Sequence, residues 1–276
     1  MLANMRKCGM HRLVRNMADC KVTVGKKIII AVATHKNYAM PLDKMYLPVQ
    51  AGAALHQSIG FQKDDEGENI SLRNNLYCEL TVLYWAWKNL KCDYFGLVHY
   101  RRHFTLKKKC RSIENVITED QLLPIIDENV IVLPHKRFYL QSIANHYIRC
   151  IKSRKLAHTR QLLLLKSVIQ DLKPDYLDAF DRVMTKHSAH MLNMFVMSKK
   201  RLDQYCDWLF SILFELERRI QKEQVMFERI MGSFSEFLLD VWLSKENVNV
   251  VELDLYEPEK NLFKKLKWAL KRKFKE

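Results

Sequence analysis

Glycine is scarce in this chain, seven residues in 276, and none falls in a GxGxxG or GxxxxGKS/T arrangement. Neither a dinucleotide-binding turn nor a P-loop is therefore expected. HExxH, Gly-x-Ser-x-Gly and the zinc-deaminase signature are missing too, which removes the commonest metalloprotease, serine-hydrolase and base-deaminase readings. The seven cysteines (Cys8, Cys20, Cys78, Cys92, Cys110, Cys150 and Cys206) are odd in number and contain no CxxC pair. A disulfide framework or a zinc module is not indicated, and a reducing cytoplasm suits them. No uninterrupted apolar run approaches the roughly 20 residues that span a bilayer, and no apolar block of a secretory signal is visible. A soluble or peripheral protein is expected.

What is present is a core-forming composition, 48% apolar, with a formal charge of +15. That charge sits at the ends: residues 1–27 are net +6 and residues 260–276 net +7, leaving about +2 for the body. A nucleic-acid enzyme would carry a basic stripe on its folded body, whereas basic termini on a near-neutral body suit tethering to an acidic surface. Residues 1–27 read as a basic, poorly ordered leader, 28–258 as the folded domain and 259–276 as an amphipathic tail helix. On a helical wheel Leu262, Phe263, Leu266, Ala269, Leu270 and Phe274 share one arc of that tail and most of its lysines lie outside it. This is the pattern of a helix lying among lipid headgroups.

Along the body, alternating strand and helix patterns predict an α/β fold. Ile28–Ala33 and Val130–Leu133 are continuous apolar runs typical of buried parallel strands, and Tyr94–Val98 reads as the central one. Polar clusters follow their carboxyl ends, where open α/β sheets bind ligands. Thr34, His35 and Lys36 follow the first strand; His99, Tyr100, Arg101, Arg102 and His103 follow the central one. Two guanidiniums beside imidazoles and aromatic rings suit a phosphate or a sugar, although a salt-bridged structural loop uses the same residues. Residues 37–70, with Pro41 and Pro48, read as a long loop with little regular structure. Ser71 is expected to cap a helix carrying Leu72, Leu76, Leu80, Leu83, Tyr84, Trp87 and Leu90, with Asn74, Asn75, Tyr77 and Glu79 near its anion-favouring start. Trp85 and Trp87 read as core. Residues 191–197 suggest a strand interrupted by Asn193, Leu202–Ile220 a long amphipathic helix, Ser235–Leu243 a second with Glu236 in its first turn, and Val248–Leu253 a final strand.

Taken together, Ala33-Thr34-His35-Lys36, Asn69-Ile70-Ser71, Asn74-Asn75-x-Tyr77-Cys78-Glu79-Leu80-Thr81, Tyr84-Trp85-Ala86-Trp87-Lys88-Asn89, Gly96-Leu97-x-His99-Tyr100-Arg101-Arg102 and His190-Met191-x-Asn193-Met194-Phe195 resemble a family of bacterial capsular and exopolysaccharide glycosyltransferases, long described only as a domain of unknown function. The likeness covers roughly residues 28–245. It implies a GT-A type fold: one nucleotide-binding α/β sheet flanked by helices, with a helical C-terminal part. It also implies transfer of a sugar from a nucleotide-sugar donor, expected to be UDP-linked, to a growing lipid-linked capsular, exopolysaccharide or O-antigen glycan. Some members are galactofuranosyltransferase-like, so galactofuranose is a candidate sugar. The tail would then hold the enzyme at the inner face of the bacterial cell membrane. One departure from the family is Phe237, where an Arg commonly follows the Glu.

On this resemblance Thr34, His35, Lys36, Asn69, Asn74, Asn75, Tyr77, Asp93 and Tyr100 line the donor site, and His190 and Asn193 meet the donor or acceptor sugar. Many GT-A enzymes hold the donor diphosphate through a divalent metal, Mn or Mg, on an Asp-x-Asp motif. Here the strand ends in His99-Tyr100-Arg101-Arg102 without a carboxylate pair, so Arg101 and Arg102 are expected to neutralise the leaving diphosphate. His99 and His190 stay candidate metal ligands. In an inverting reaction a carboxylate takes the acceptor proton, with Glu236 preferred over Glu79; a retaining enzyme needs no such base. Expected partners are the nucleotide-sugar, the lipid-linked acceptor and an anionic membrane surface, not nucleic acid. Two other classes stay open, a non-catalytic carbohydrate-binding module and a nucleic-acid-binding protein. The first binds sugar without nucleotide; the second shows salt-sensitive affinity in a 28–259 fragment.

Overall fold

The computed structural model describes residues 25–150 and 152–258; residues 1–24 of the expected leader and the expected tail helix at 259–276 lie outside the described residues. The strands in chain order are β1 (Ile28–Thr34), β2 (Tyr46–Gln50), β3 (Gln62–Lys63), β4 (Tyr94–His99), β5 (His103–Thr105), β6 (Val130–Pro134), β7 (Arg137–Phe138), β8 (Ser188–Ala189), β9 (Phe195–Ser198) and β10 (Asn249–Tyr256). The principal helices are α1 (Asn74–Tyr77), α2 (Leu80–Asn89), α3 (Ile143–Arg149), α4 (Lys155–Leu172), α5 (Leu177–Thr185), α6 (Lys199–Lys222) and α7 (Ile230–Leu243).

Eight strands form one mixed sheet in the order β3-β2-β1-β4-β9-β6-β10-β5, and β7 pairs with β8 in a separate ribbon. Only β9 and β5 run against the other six. The carboxyl ends of β1, β2, β4, β6 and β10 and the entry to β9 therefore meet at one edge, where the site lies. The apolar runs explain the middle of the sheet: nearly every side chain of β1, β4 and β6 is buried, each large one contributing about 1.5–3 kcal/mol. Gly96 is needed at the centre. A Cβ there would come within 3.0 Å of both Ile30 and Val196, so only glycine lets β1 and β9 close on β4.

Helix α6 buries Leu202, Tyr205, Cys206, Leu209, Leu213, Leu216 and Ile220 on one face, as the helical spacing predicts, and the Ser198 hydroxyl caps it by accepting from the Arg201 amide. Trp85 is buried, and Trp87 stacks on Phe210 with ring centroids 5.9 Å apart while its Nε1 donates to Asp203 at 3.0 Å. Trp87 thus belongs to the packing between α2 and α6, and Trp85 to the core. Among the described residues no helix is long and apolar enough to cross a membrane.

Several expectations need correction. Residues 37–70 hold β2 and β3 rather than an irregular loop. Ser71 does not cap that helix: its hydroxyl donates to buried Asp64 at 2.5 Å and accepts the Ala54 amide at 3.1 Å, and the same Asp64 carboxylate accepts the Gly52 and Ala53 amides at 2.8 and 2.9 Å. The expected helix is also broken into α1 and α2 at Cys78, whose φ of 53° leaves the helical region, and Leu72 is exposed. The strand expected over 191–197 starts only at Phe195, because Leu192 and Asn193 take positive φ, 98° and 50°. Helix α7 starts at Ile230, which puts Glu236 well past the first turn.

Candidate active site

A cleft of about 470 Å³ opens on the carboxyl edge between the ends of β1 and β4, the α1–α2 turn and the start of α7. Ten of the residues singled out from the sequence line it: Thr34, His35, Asn74, Asn75, Glu79, His99, Tyr100, Arg101, Arg102 and Glu236. They converge because β1 and β4 are parallel neighbours in a register that sets Ala33 opposite His99. The Tyr100 amide continues that ladder to the Ala33 carbonyl at 3.1 Å, and the chain then turns sharply, the Arg102 amide donating to the His99 carbonyl at 2.9 Å. Both guanidiniums leave from this turn. Arg101 lies over the Tyr100 ring at 5.3 Å, and Arg102 Nε donates to Glu257 at 3.1 Å.

His99 donates its Nε2 proton to the Leu192 carbonyl at 2.6 Å, since a carbonyl can only accept, and this nitrogen lies 4.0 Å from Glu79. Burial pulls its pKa down against the pull of Glu79. Glu79 accepts from Asn193 Nδ2 at 2.6 Å. Glu236 is different: burial, with the Glu79 charge adding to it, pushes its carboxyl up to about 7, against Arg137, Arg102 and Arg229. A carboxyl held up by burial beside a second carboxylate can take a different part in proton transfer from its neighbour. Their approach depends on Gly232, where a Cβ would meet the Cys78 side chain at 3.2 and 3.3 Å.

Strained backbone gathers here. Of the six non-glycine residues with positive φ among those described, Cys78, Leu192 and Arg229 line the cleft and Asn193 adjoins it. Such conformations cost about 1–3 kcal/mol each and persist where the surrounding structure holds them in place.

The structure removes six candidates from the cleft wall. Asp93 stands at the amino end of β4, about 20 Å from His99 by strand rise, where its carboxylate takes the Lys27 amide at 2.7 Å. Tyr77 is fully buried and donates to Glu217 at 2.8 Å, toward α6. Asn69 is spent on its own loop, donating to the Asp65 and Gly67 carbonyls at 2.9 and 2.8 Å. His190 is buried with Nδ1 2.7 Å from Asp240 and Nε2 2.8 Å from Glu252, so it ties α7 to β10 instead of meeting a sugar. Asn193 positions Glu79 from behind the wall. Lys36 stands over the Tyr100 ring at 5.1 Å, outside the lining. Thr34 lines the cleft, but its hydroxyl is spent on the Lys36 carbonyl at 2.6 Å. The wall also holds Arg229, His56 and Glu228, which no sequence pattern had marked.

With this geometry in place, the comparisons with known proteins become informative. Residues 29–247 match the family described as a domain of unknown function, DUF4422. The chain belongs to this family. The matched span runs from β1 through α7, and so contains every residue of the cleft wall. Among curated proteins none matches. A solved apo structure of WbbM, a bifunctional glycosyltransferase, is similar with a TM-score of 0.69 and 28% identity, over 83% of this chain and 45% of that one. The DUF4422 chain thus spans less than half of that protein's length. Its fold is GT-A-like, a mixed α/β sheet flanked by helices.

Proposed function

We propose that the chain is a glycosyltransferase that holds a UDP-linked sugar in the cleft at the ends of β1 and β4 and passes it to a glycan hydroxyl. One juxtaposition carries this reading: Arg101, Arg102 and Arg229 share a cleft with Glu236, a half-buried carboxyl that desolvation pushes up to about 7. Guanidiniums suit the charge that develops on a departing diphosphate, and they act more strongly away from bulk water. His35, exposed and edge-on to Tyr100 at 5.1 Å, offers a stacking face for the base.

In an inverting transfer Glu236 takes the proton of the acceptor hydroxyl as that oxygen bonds to the anomeric carbon. The bond from this carbon to the β-phosphate oxygen breaks, and its electron pair leaves with the diphosphate. A base poised near neutrality suits this step. Burial keeps the pKa of Glu236 high, and Glu79, fixed by Asn193, adds to it.

The residues present do not fit a divalent metal. Among the described residues no three His, Cys, Asp or Glu side chains form a metal-holding group. Nε2 of His99 is committed to a carbonyl, and both nitrogens of His190 to carboxylates. The finer parts of the proposal are a galactofuranose donor, a lipid-linked capsular, exopolysaccharide or O-antigen acceptor, and docking on the inner membrane face; the motif resemblance and the basic tail support them.

A donor screen following nucleoside diphosphate release, with and without chelator, tests the reading. Expected is acceptor-dependent release of UDP that survives the chelator. Sugar binding with no nucleotide requirement would point to a carbohydrate-binding module, and salt-sensitive DNA or RNA affinity in residues 28–259 to a nucleic-acid binder.

A further inference from the structure

His190 is 3% exposed, yet both of its ring nitrogens lie against carboxylates, Nδ1 at 2.7 Å from Asp240 and Nε2 at 2.8 Å from Glu252. An ionised carboxylate only accepts hydrogen bonds, and a neutral imidazole has a single N–H to donate. Two contacts of this length therefore need one proton more than a neutral ring carries, placed on the ring or on one of the acids. Both acids have reason to stay ionised. Asp240 turns its other oxygen to the His190 amide at 2.7 Å, and a carboxylate that accepts several N–H bonds favours its charged form. Burial raises Glu252, but its bonds to His135, at 3.0 Å, and to His190 outweigh burial and hold it below the usual carboxylate range. The extra proton then belongs to the ring. Among the described residues the charged groups that face it are Asp240 from α7 and Glu252 from β10, with His135 beyond Glu252 and Asp254 a further 3.7 Å from His135.

The ring matters because of what it joins. Asp240 lies one turn after Glu236 on α7. Two and three residues after His190 come Leu192 and Asn193, whose positive φ values shape the turn before β9. The Leu192 carbonyl accepts from His99 at 2.6 Å, while Asn193 donates to Glu79 at 2.6 Å and to the Gly232 carbonyl of α7 at 3.1 Å. The helix thus carries the proposed base, the turn carries the supports of Glu79 and His99, and His190 fastens turn to helix. At the far end of the network His135 stands in the wall of a second cleft, about 930 Å³, at the carboxyl ends of β6 and β10. Exposed Lys109, Arg111 and Lys136 share that wall, and Leu192 lines both clefts.

We propose that His190 is a positioning residue held as an imidazolium, and that its two ion pairs set Glu79 and His99 against Glu236. It lies outside the lining of the first cleft and touches no reacting atom. A neutral side chain there leaves one carboxylate without its donor and lets the turn shift against α7, and small misplacements of a catalytic group are costly to rate. The role rests on the reading of Glu236 as the base.

The test joins nitrogen NMR and kinetics on the full chain. In protein labelled with nitrogen-15 histidine, the His190 ring is expected to carry protons on both nitrogens at pH 7. Glu252→Gln assigns it: the new amide can donate to Nε2 while its oxygen keeps the His135 bond, so the ring should fall to a single proton on Nδ1. His190→Gln should lower kcat by about ten- to a hundredfold with little change in the donor KM, and shift the acidic limb of the pH profile as Glu79 moves relative to Glu236. Glu252→Gln, which keeps the hydrogen bonds and loses one ion pair, should show a smaller fall, and circular dichroism verifies folding. An unprotonated ring nitrogen in the unaltered protein would refute the imidazolium. Unchanged kcat and an unmoved limb in His190→Gln, or in Glu252→Gln if the first variant does not fold, would confine His190 to packing. If no transfer to any acceptor is detected, the reading of the first cleft fails, while the nitrogen spectrum still decides the charge on His190.

Discussion

The cleft at the ends of β1 and β4 is walled by groups committed before any ligand arrives, whereas the one at the ends of β6 and β10 is walled by exposed lysine and arginine. In the first, Arg102 is pinned by Glu257, His99 by the Leu192 carbonyl, and Cys78, Leu192 and Arg229 hold left-handed backbone. In the second, Lys109, Arg111 and Lys136 are exposed, although Lys109 too has a positive φ, 56°, and Leu192 belongs to both walls. Pre-set dipoles stabilise a transition state because they need not reorganise, while mobile surface charges attract and release a ligand. The contrast marks the first cleft as the one built for chemistry.

The contrast breaks most visibly at the two arginines. Arg101→Ala and Arg102→Ala are each expected to lower turnover by about a hundredfold or more, the cost of losing a preorganised charge partner, in proteins that still fold. Arg101→Lys should fail as well if the contact is bidentate, because an ammonium lacks the planar fork. Near-normal steady-state rates in a folded double alanine variant would take both out of the mechanism.

Glu236→Gln comes next, with an expected loss of about 100- to 10,000-fold in kcat/KM for an enzyme deprived of its base, and disappearance of an acidic limb near pH 7. Stability should move the other way. The folded chain keeps a proton on Glu236 up to about 7, whereas the unfolded chain releases it near 4.5. Stability is therefore fully present below pH 4.5 and falls as pH rises through 7, by on the order of 3 kcal/mol. Urea midpoints should show Glu236→Gln more stable than the unaltered protein at pH 8 and level with it at pH 4. A variant equally stable at both would mean that the carboxyl ionises freely in the fold.

Gly232→Ala sharpens the same contrast at smaller scale. Its Cβ presses on Cys78 at 3.2 Å, and overpacking of this kind costs about 1–3 kcal/mol. Moving α7 away from Glu79 also weakens the charge that keeps Glu236 high, so the acidic limb should shift down. An unmoved limb in a destabilised variant would confine Gly232 to packing.

Sequence made the strands legible where burial was two-sided. The runs at 28–33, 94–98 and 130–133 were visible as buried strands, and their order placed Thr34, His35, His99, Arg101 and Arg102 on one edge. β2 was hidden by Pro48. The Ala51 amide donates to Thr34 of β1 while the Gln50 carbonyl accepts from Asp64, so even positions of β2 face β3. β3 pairs only with Val49 and Gln50, and the missing N–H of Pro48 falls where no partner is needed. Asp93, Tyr77 and Asn69 were misplaced because nearness in a motif says nothing of which way a strand runs or a helix face turns. Arg229 and Leu192 were out of reach: they join the cleft only through the tertiary approach of α7 and the turn before β9.

The smallest effect on chemistry is expected from deleting residues 260–276, and it bears on how the first cleft is supplied. That segment carries net +7 with an apolar arc, and anionic lipid attracts basic residues near its surface by about 1 kcal/mol each. UDP affinity and transfer to a soluble acceptor analogue should stay near those of the full chain, since the residues of the first cleft wall lie between 33 and 236. Transfer to an acceptor embedded in anionic vesicles should fall, because the tether that concentrates the enzyme at that surface is gone, and the fall should shrink as salt rises. If vesicle binding is unchanged at low and at physiological salt, the tail is not the anchor, and the exposed apolar pair Phe138 and Leu140 become the residues to truncate.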